Sequence, residues 1–427
     1  MINIKKRVIK TDVDFVLLAL LILTIPFKLN YSNIFLIIAF IFSLYKLLLK
    51  KSIKDLLNFH TLAPLIFFII VFISAVTSKN VSTGFVEVNK NLLLILIPIS
   101  LTVLLKKQTY FNKLLLLFSI SLTFSTTILL IYNMYKELAG ESVNMLFFHE
   151  FTRLYDQHPV YYSIYLALSI FIVNDFYFKK VFNRKYNLIV FFIISFILYL
   201  GLFFCASKIV IALFVLMNLI QLVILNKRLK FKIIIVSCFV FVSVISLKNE
   251  FIKNRFANGL VVRSLNFVPT NDISKAKMFS YEEKKQISDL ELRIVFFKIG
   301  FFHLIDDSKL FTGYGVGDVQ DYLDYYYMTY GLAPNWYERY NLHNQYLQIM
   351  VTYGLFVFIL FIIYLIVSLY NSIKSKSILY IYFMILILVA FLFESYLVRN
   401  KGILFFYTFN TFFLIKLFKD NNKESSI

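Results

Sequence analysis

The chain has 427 residues, of which 60% are hydrophobic and 19% aromatic, and it carries a formal net charge of +20. So apolar a composition excludes a soluble globular protein and indicates an integral membrane protein. The positive charge does not require a nucleic acid partner, because basic loops that face anionic membrane lipids account for it.

Apolar segments long enough to cross a hydrocarbon core of roughly 30 Å as helices recur along the whole chain. They are 13–29, 31–49, 62–77, 91–105, 114–135, 160–177, 188–204, 209–225, 233–247, 346–369, 378–397 and 403–417. The first follows a basic start and has no small-residue cleavage site, so we predict a retained helix and not a removed signal peptide. The sequence therefore predicts an all-α polytopic bundle of about twelve transmembrane helices.

Every second connection between these segments is rich in lysine and arginine, which predicts that it faces the cytoplasm. Both termini are then cytoplasmic. The long connection 248–342, in which twelve basic and twelve acidic residues balance, is predicted to be a helical extracytoplasmic loop. It separates an N-terminal transmembrane bundle, 1–247, from the C-terminal transmembrane helices, 343–427.

The chain has few residues suited to metal or nucleotide chemistry. Cys205 and Cys238 both lie in apolar segments, so neither a disulfide framework nor a zinc site is predicted. The short basic loops contain no G-x-x-x-x-G-K-[ST] phosphate loop, which disfavours ATP-driven work. We therefore expect the chemistry on the outer face, without metal or cofactor.

The long connection contains one clear helix and two ambiguous segments. From Ser288 onward, S-D-L-E-L-R-I-V-F-F-K-I-G-F-F-H predicts an amphipathic helix with Ser288 as its cap. The glycine-rich segment 310–317 indicates either a tight turn or a cradle of backbone N–H groups for phosphate. The tyrosines, tryptophan and carboxylates of 318–340 suit either a sugar-binding surface or an aromatic belt at the membrane interface.

Four motifs follow one another in the C-terminal half: Ser207-Lys208 at the start of a span, R-I-V-F-F-K-I-G at 293–300, L-F-T-G-Y-G-V-G at 310–317, and H-N-Q-Y-L-Q-I-M-V-T-Y-G-L-F at 343–356. In their order, spacing and predicted topology they resemble the O-antigen ligase and polymerase family of bacterial membrane proteins. The segment H-P-V-Y-Y-S-I-Y-L at 158–166 is similar to some members. Family members commonly have arginine where this chain has Lys208, and lysine loses the bidentate geometry.

The resemblance implies metal-independent glycosyl transfer on the outer surface of the bacterial cytoplasmic membrane. The donor is then a glycan on undecaprenyl diphosphate. The acceptor is a lipid A core oligosaccharide in a ligase, or another carrier-linked repeat in an O-antigen or exopolysaccharide polymerase. The sequence leaves ligase and polymerase open.

The same residues suit this chemistry. A diphosphate leaving group needs cations, and Arg293, Lys208 and Arg153 are the candidates on the predicted outer face. The imidazole of His343 is a natural base for an acceptor hydroxyl, and the adjacent Asn344 is a candidate for substrate binding.

Structural interpretations compete with each of these roles. An interfacial histidine such as His343 often caps a helix, and Arg293 is spaced to form a salt bridge with Asp289. Lys208 has the position of a cation whose stem lies along the bilayer while its amino group reaches water. His60, His149 and His303 have no supporting pattern and are assigned no role.

A transporter or flippase is the alternative from another class. Transporters place binding groups near the bilayer midplane on broken helices, whereas the predicted spans here carry almost no ionisable residue at mid-span. A purely structural scaffold would leave the cations and His343 without a purpose.

Overall fold

The computed structural model describes residues 12–50, 54–141, 146–178, 187–224 and 266–424. These residues form helices and turns and contain no β-strand, which confirms the all-α class. The predicted span 233–247, Cys238 and the first part of the long connection lie outside the described residues.

The described α-helices are numbered here in chain order. They are α1 (Val13–Thr24), α2 (Leu29–Lys50), α3 (Phe59–Thr77), α4 (Val81–Asn91), α5 (Leu93–Leu104), α6 (Gln108–Leu138), α7 (His149–Thr152), α8 (Pro159–Phe178), α9 (Asn187–Phe204), α10 (Lys208–Ile224), α11 (Tyr281–Gln286), α12 (Asp289–Asp306), α13 (Val319–Thr329), α14 (Gln345–Tyr353), α15 (Leu355–Lys374), α16 (Ile378–Phe393) and α17 (Asn400–Glu424).

Within the described residues, 7 helical segments are long and apolar enough to cross a membrane. They are Leu29–Leu49, Phe59–Thr77, Val81–Leu104, Gln108–Leu138, Pro159–Tyr177, Leu355–Lys374 and Asn400–Asp420. Shorter apolar helices occupy Val13–Thr24, Ile189–Phe204, Lys208–Asn218 and Ile378–Phe393. The structure thus confirms apolar helices at the described predicted segments, but it does not confirm the number of about twelve spans.

Two helices form the centre of the bundle. In α17 and α8, 89% and 83% of the apolar span is buried, compared with 22% for α2. The central α17 packs against α3, α5, α6 and α15, and α8 packs against α6, α9, α10 and α16. Both spans have a lower mean hydropathy than α2, and polar side chains within a span are more stable against neighbouring helices than against lipid, which explains this central position.

The predicted segment 346–369 is not one helix, because the chain breaks at Gly354. This residue has φ +85°, and a Cβ there would collide with the carbonyl oxygen of Phe311. Only glycine adopts this conformation readily. Leu347 and Val351 of α14 instead pack in a hydrophobic core shared with α12 and α13, so α14 belongs with the long connection.

The predicted helix after Ser288 is confirmed as α12. The Ser288 hydroxyl accepts a hydrogen bond from the Glu291 backbone N–H at 3.1 Å, and the Glu291 carboxylate accepts one from the Ser288 N–H at 3.3 Å. This capping box satisfies two amides at the helix start. The buried face of α12, with Val295, Phe296 and Ile299, fixes which side of the helix Arg293 occupies.

The glycine-rich segment is a tight turn and not a phosphate cradle. Its amides are used inside the protein: Gly315 N–H donates to the Thr352 carbonyl, Val316 N–H to the Ser74 hydroxyl and Gly317 N–H to the Ser78 hydroxyl. Gly313 and Gly315 have φ +67° and +98°. The turn therefore fastens the long connection to α3.

Candidate functional site

A cavity of about 790 Å³ lies where the long connection meets the helix bundle. Its lining comes from the beginnings of α8, α10 and α12, from 337–343, and from the end of α16. Three predicted site residues, His343, Arg293 and Lys208, line it together although they are distant in sequence. We name it the cationic cavity, after Lys208, Arg293, Arg339 and Arg399 in its lining, which also includes the carboxylates of Asp289, Glu338 and Glu394.

His343 is held against a buried carboxylate. Its Nδ1 lies 3.3 Å from Oε2 of Glu394, whose side chain is 3% exposed. The backbone of His343 is in the left-handed region at φ +48°, where its N–H donates to Asn341 Oδ1 at 2.9 Å. Its ring is nearly parallel to that of Phe296. Few non-glycine residues adopt this backbone conformation, so the surrounding contacts must enforce it. The same contacts therefore determine the direction of the imidazole.

The electrostatics of Glu394 keep it ionised. Burial tends to raise its pKa, but the hydrogen bond with His343 and the electrostatic influence of His343, His158 and Arg293 outweigh burial and lower the pKa to about 2. At neutral pH the carboxylate therefore accepts the Nδ1–H of His343. The Nε2 atom then carries the lone pair, and this is the tautomer that a general base requires.

Arg293 is oriented by backbone carbonyls. Its Nε donates to the Phe393 carbonyl at 3.0 Å and its Nη1 to the Asp289 carbonyl at 3.0 Å. Among the described residues, no carboxylate lies within 4.0 Å of its guanidinium, so the predicted salt bridge with the Asp289 side chain is not formed. The guanidinium faces the cavity with donors that the carbonyls do not use.

Lys208 begins α10 and is ion-paired. Its Nζ lies 3.1 Å from the Asp289 carboxylate, and only 16% of its side chain is exposed. Ser207, Lys208 and Ile209 also bring the first turn of α10 to the cavity wall. The first amides of a helix have no partner within it, so this end of α10 favours an anion.

The other two predicted residues do not line the cavity. Arg153 is 75% exposed and pairs with Glu150 at 3.0 Å. Asn344 caps α14, because its Oδ1 accepts from the Leu347 N–H at 2.9 Å and its Nδ2 donates to the Leu392 carbonyl at 3.1 Å. Asn344 thus fixes the start of the helix that follows His343.

Sequence reasoning missed Glu394 and Arg399. Both lie after α16, which ends at Phe393, whereas the predicted apolar segment 378–397 contained Glu394. The sequence signal for Glu394 was a lone glutamate within a predicted span. Placing a charged side chain inside a membrane costs free energy, so such residues usually have a function. The Arg399 side chain is exposed and has no hydrogen bond or ion pair with another described residue, so its donors are available.

The remaining histidines divide between the cavity and the protein interior. His149 and His158 line the cavity, with ring centroids 4.9 Å apart. Burial, the largest influence, lowers the pKa of His158 to about 3, so this ring is neutral. His303 is buried with its Nε2 2.8 Å from the Tyr330 hydroxyl, which agrees with a structural role.

The tyrosines of segment 318–340 lie in three different places. Tyr327 and Tyr330 are fully buried in the core of the long connection, whereas Tyr337 and Tyr340 line the cationic cavity. Tyr325 lines a separate open groove. Within the described residues, no three His, Cys, Asp or Glu side chains come together as a metal-ligand set.

Residues 188–362 match the family model described as O-antigen ligase. This range, which is less than half of the chain, is similar to O-antigen ligases. The matched range includes Lys208, Arg293 and His343 but ends before Glu394 and Arg399. No curated protein matches the chain significantly. This similarity and the apolar helices support a multi-pass membrane protein of polysaccharide biosynthesis, and the family that the range resembles is one of glycosyltransferase-like ligases and polymerases.

Proposed function

We propose that this O-antigen ligase-like protein transfers a glycan from an undecaprenyl-diphosphate-linked donor to an acceptor sugar on the outer face of the cytoplasmic membrane. The observation that carries the proposal is the His343–Glu394 pair in the wall of a cavity that Arg293, Lys208 and Arg399 also line. It combines a base for a hydroxyl with cations for a diphosphate.

In the proposed step, an acceptor hydroxyl oxygen bonds to the anomeric carbon of the donor sugar. The bond between that carbon and the diphosphate oxygen breaks, and its electron pair leaves with the carrier diphosphate. The hydroxyl proton passes to His343 Nε2. The ionised Glu394 stabilises the resulting imidazolium through Nδ1–H, as a buried carboxylate does for a catalytic histidine in other enzymes.

The diphosphate is the end of the substrate that needs positive charge. Arg293 and Arg399 offer guanidinium donors, and the start of α10 offers backbone N–H groups. Lys208 contributes charge while paired with Asp289. With these groups in the wall, the proposed transfer needs neither a metal nor a cofactor, since the departing charge is stabilised by the protein.

The proposal includes a topology. About twelve helices span the bacterial inner membrane, 248–342 lies outside, and both termini are cytoplasmic. The alternation of basic connections supports this arrangement. Asn344 contributes by capping α14 directly after His343, and Arg153 remains a candidate for substrate binding outside the cavity wall.

The proposed acceptor is a lipid A core oligosaccharide, and the alternative is a carrier-linked repeat in an O-antigen or exopolysaccharide polymerase. The similarity to the family does not separate the two. Glycan analysis of a deletion strain separates them: loss of a ligase leaves polymer on its lipid carrier, and loss of a polymerase leaves single capped repeats. Donor trapped on the cytoplasmic side would instead indicate a flippase and refute the proposed transfer.

A further inference from the structure

A second, smaller cavity of about 150 Å³ lies beside the cationic cavity, and Asn341 lines both. Helices α3, α4 and α5 form one side of it, and α14 and α17 contribute to the other. We name it the amide cavity, after Asn341, Gln345 and Gln348 in its wall. The proposed mechanism does not use it.

The orientation of these three amides follows from their backbone partners. Each amide oxygen accepts a backbone N–H: Asn341 Oδ1 from His343 at 2.9 Å, Gln345 Oε1 from Leu397 at 2.6 Å, and Gln348 Oε1 from Leu342 at 3.1 Å. A backbone N–H needs an acceptor, so the oxygen and nitrogen of each amide are assigned by chemistry. The NH₂ groups of Asn341 and Gln345 remain as hydrogen-bond donors, whereas one N–H of Gln348 donates to the Thr352 hydroxyl at 3.5 Å. Gln345 is 2% exposed, and among the described residues its NH₂ group has no partner.

The remaining wall suits a neutral sugar. None of the described residues that line the amide cavity is a lysine, arginine or histidine. Glu87 provides a carboxylate acceptor, and Tyr353 and Tyr407 provide aromatic surface. A sugar hydroxyl both accepts from an amide and donates to a carboxylate, and its C–H face packs on aromatic rings. Glu87 Oε1 is ion-paired with Lys90, which does not line the cavity, so the described lining offers a diphosphate no cation.

Cations line the cationic cavity, whereas none of the described residues that line the amide cavity is a cation. We therefore propose that the amide cavity binds the terminal sugar of the acceptor glycan. The inference rests on the proposed function and identifies a subsite within it. The small volume suits a sugar with one linkage to the rest of its chain. The donor sugar, in contrast, carries the diphosphate on one side and continues into the glycan on the other. Asn341 lies two residues before His343, so a sugar held there has the base as its neighbour.

Thr83 offers a way to block the amide cavity without touching the cationic one. It lines only the amide cavity, and its backbone N–H, not its side chain, contacts the cap residue Asn80. Thr83→Leu therefore fills the space and leaves the start of α4 intact. Thr77→Leu, at an exposed position of α3 that lines neither cavity, is the matched control. Thr83→Ser retains the hydroxyl.

The test measures binding of two probes to the purified full chain in detergent. The probes are inorganic diphosphate and the lipid-free core oligosaccharide released from the lipopolysaccharide of the native host, which is the acceptor in the proposed transfer. Thr83→Leu is expected to weaken oligosaccharide binding at least about tenfold and to leave diphosphate binding unchanged. Arg293→Ala is expected to do the reverse, and Thr77→Leu and Thr83→Ser to change neither.

In steady-state transfer, Thr83→Leu is expected to raise the KM for acceptor and not the KM for donor. Unchanged oligosaccharide binding by Thr83→Leu, equal weakening of both probes, or a rise in donor KM alone would overturn the inference. These outcomes differ from failure of the proposed function itself, in which the wild-type protein transfers no glycan from the lipid-linked donor.

Discussion

Replacing His343 with glutamine separates proton transfer from the structural roles of this residue. A glutamine amide can donate a hydrogen bond to Glu394 in place of Nδ1–H, but it cannot accept a proton at neutral pH. General acid–base assistance is typically worth about 10²–10⁴-fold, or roughly 3–5 kcal/mol of barrier. We therefore expect His343→Gln and His343→Ala to lose transfer to a similar extent.

The assay is single-turnover transfer by protein reconstituted with lipid-linked donor and acceptor. The left-handed backbone of residue 343 requires a separate control, because the substitutions also affect stability there. His343→Asn supplies it, since asparagine tolerates this conformation well and is no base. If His343→Gln retains more than about a tenth of the wild-type rate, the general-base role is refuted.

The pH dependence of the wild-type rate provides an independent check of the same prediction. The pKa of Glu394 is lowered to about 2 and that of His158 to about 3, so neither group changes its charge between pH 5 and 8. A base must be unprotonated to act, so the rate is expected to fall at low pH. His343→Gln should lack this dependence.

Three further predictions concern residues near His343, and a fourth concerns the membrane topology. Glu394→Gln should lower transfer about tenfold or more at normal membrane abundance, because a hydrogen bond to a charged group is worth about 1.5–3 kcal/mol; an unchanged rate would remove Glu394 from the mechanism. Arg293→Ala should lower transfer at least about tenfold, measured at equal protein abundance, and normal transfer would exclude it. Lys208→Arg should be tolerated, because arginine can keep the ion pair with Asp289, and a large loss would show that lysine geometry matters. A topology reporter fused within 266–342 should report the outer side and one at Lys374 the cytoplasm, and a cytoplasmic signal from 266–342 would contradict the site assignment.

The sequence by itself determined the membrane class, the described apolar helices and the start of α12. These features depend on local hydropathy and on a cap within three residues, so they can be predicted without tertiary contacts. The break at Gly354 was not predicted, because it arises where the chain meets the carbonyl of Phe311, more than forty residues earlier.

The residues of the site illustrate the same division. Motif order predicted that His343, Arg293 and Lys208 act together, and the structure brings all three to one cavity. Motif order did not predict that Glu394, 51 residues from His343, orients the imidazole. Nor did it predict that Asn344 caps a helix or that Arg153 lies outside the cavity. Residue type and spacing indicate which chemistry a chain can perform. Only the packing of α12, α14 and α16 determines which of those side chains meet, because contacts between distant segments depend on the fold as a whole.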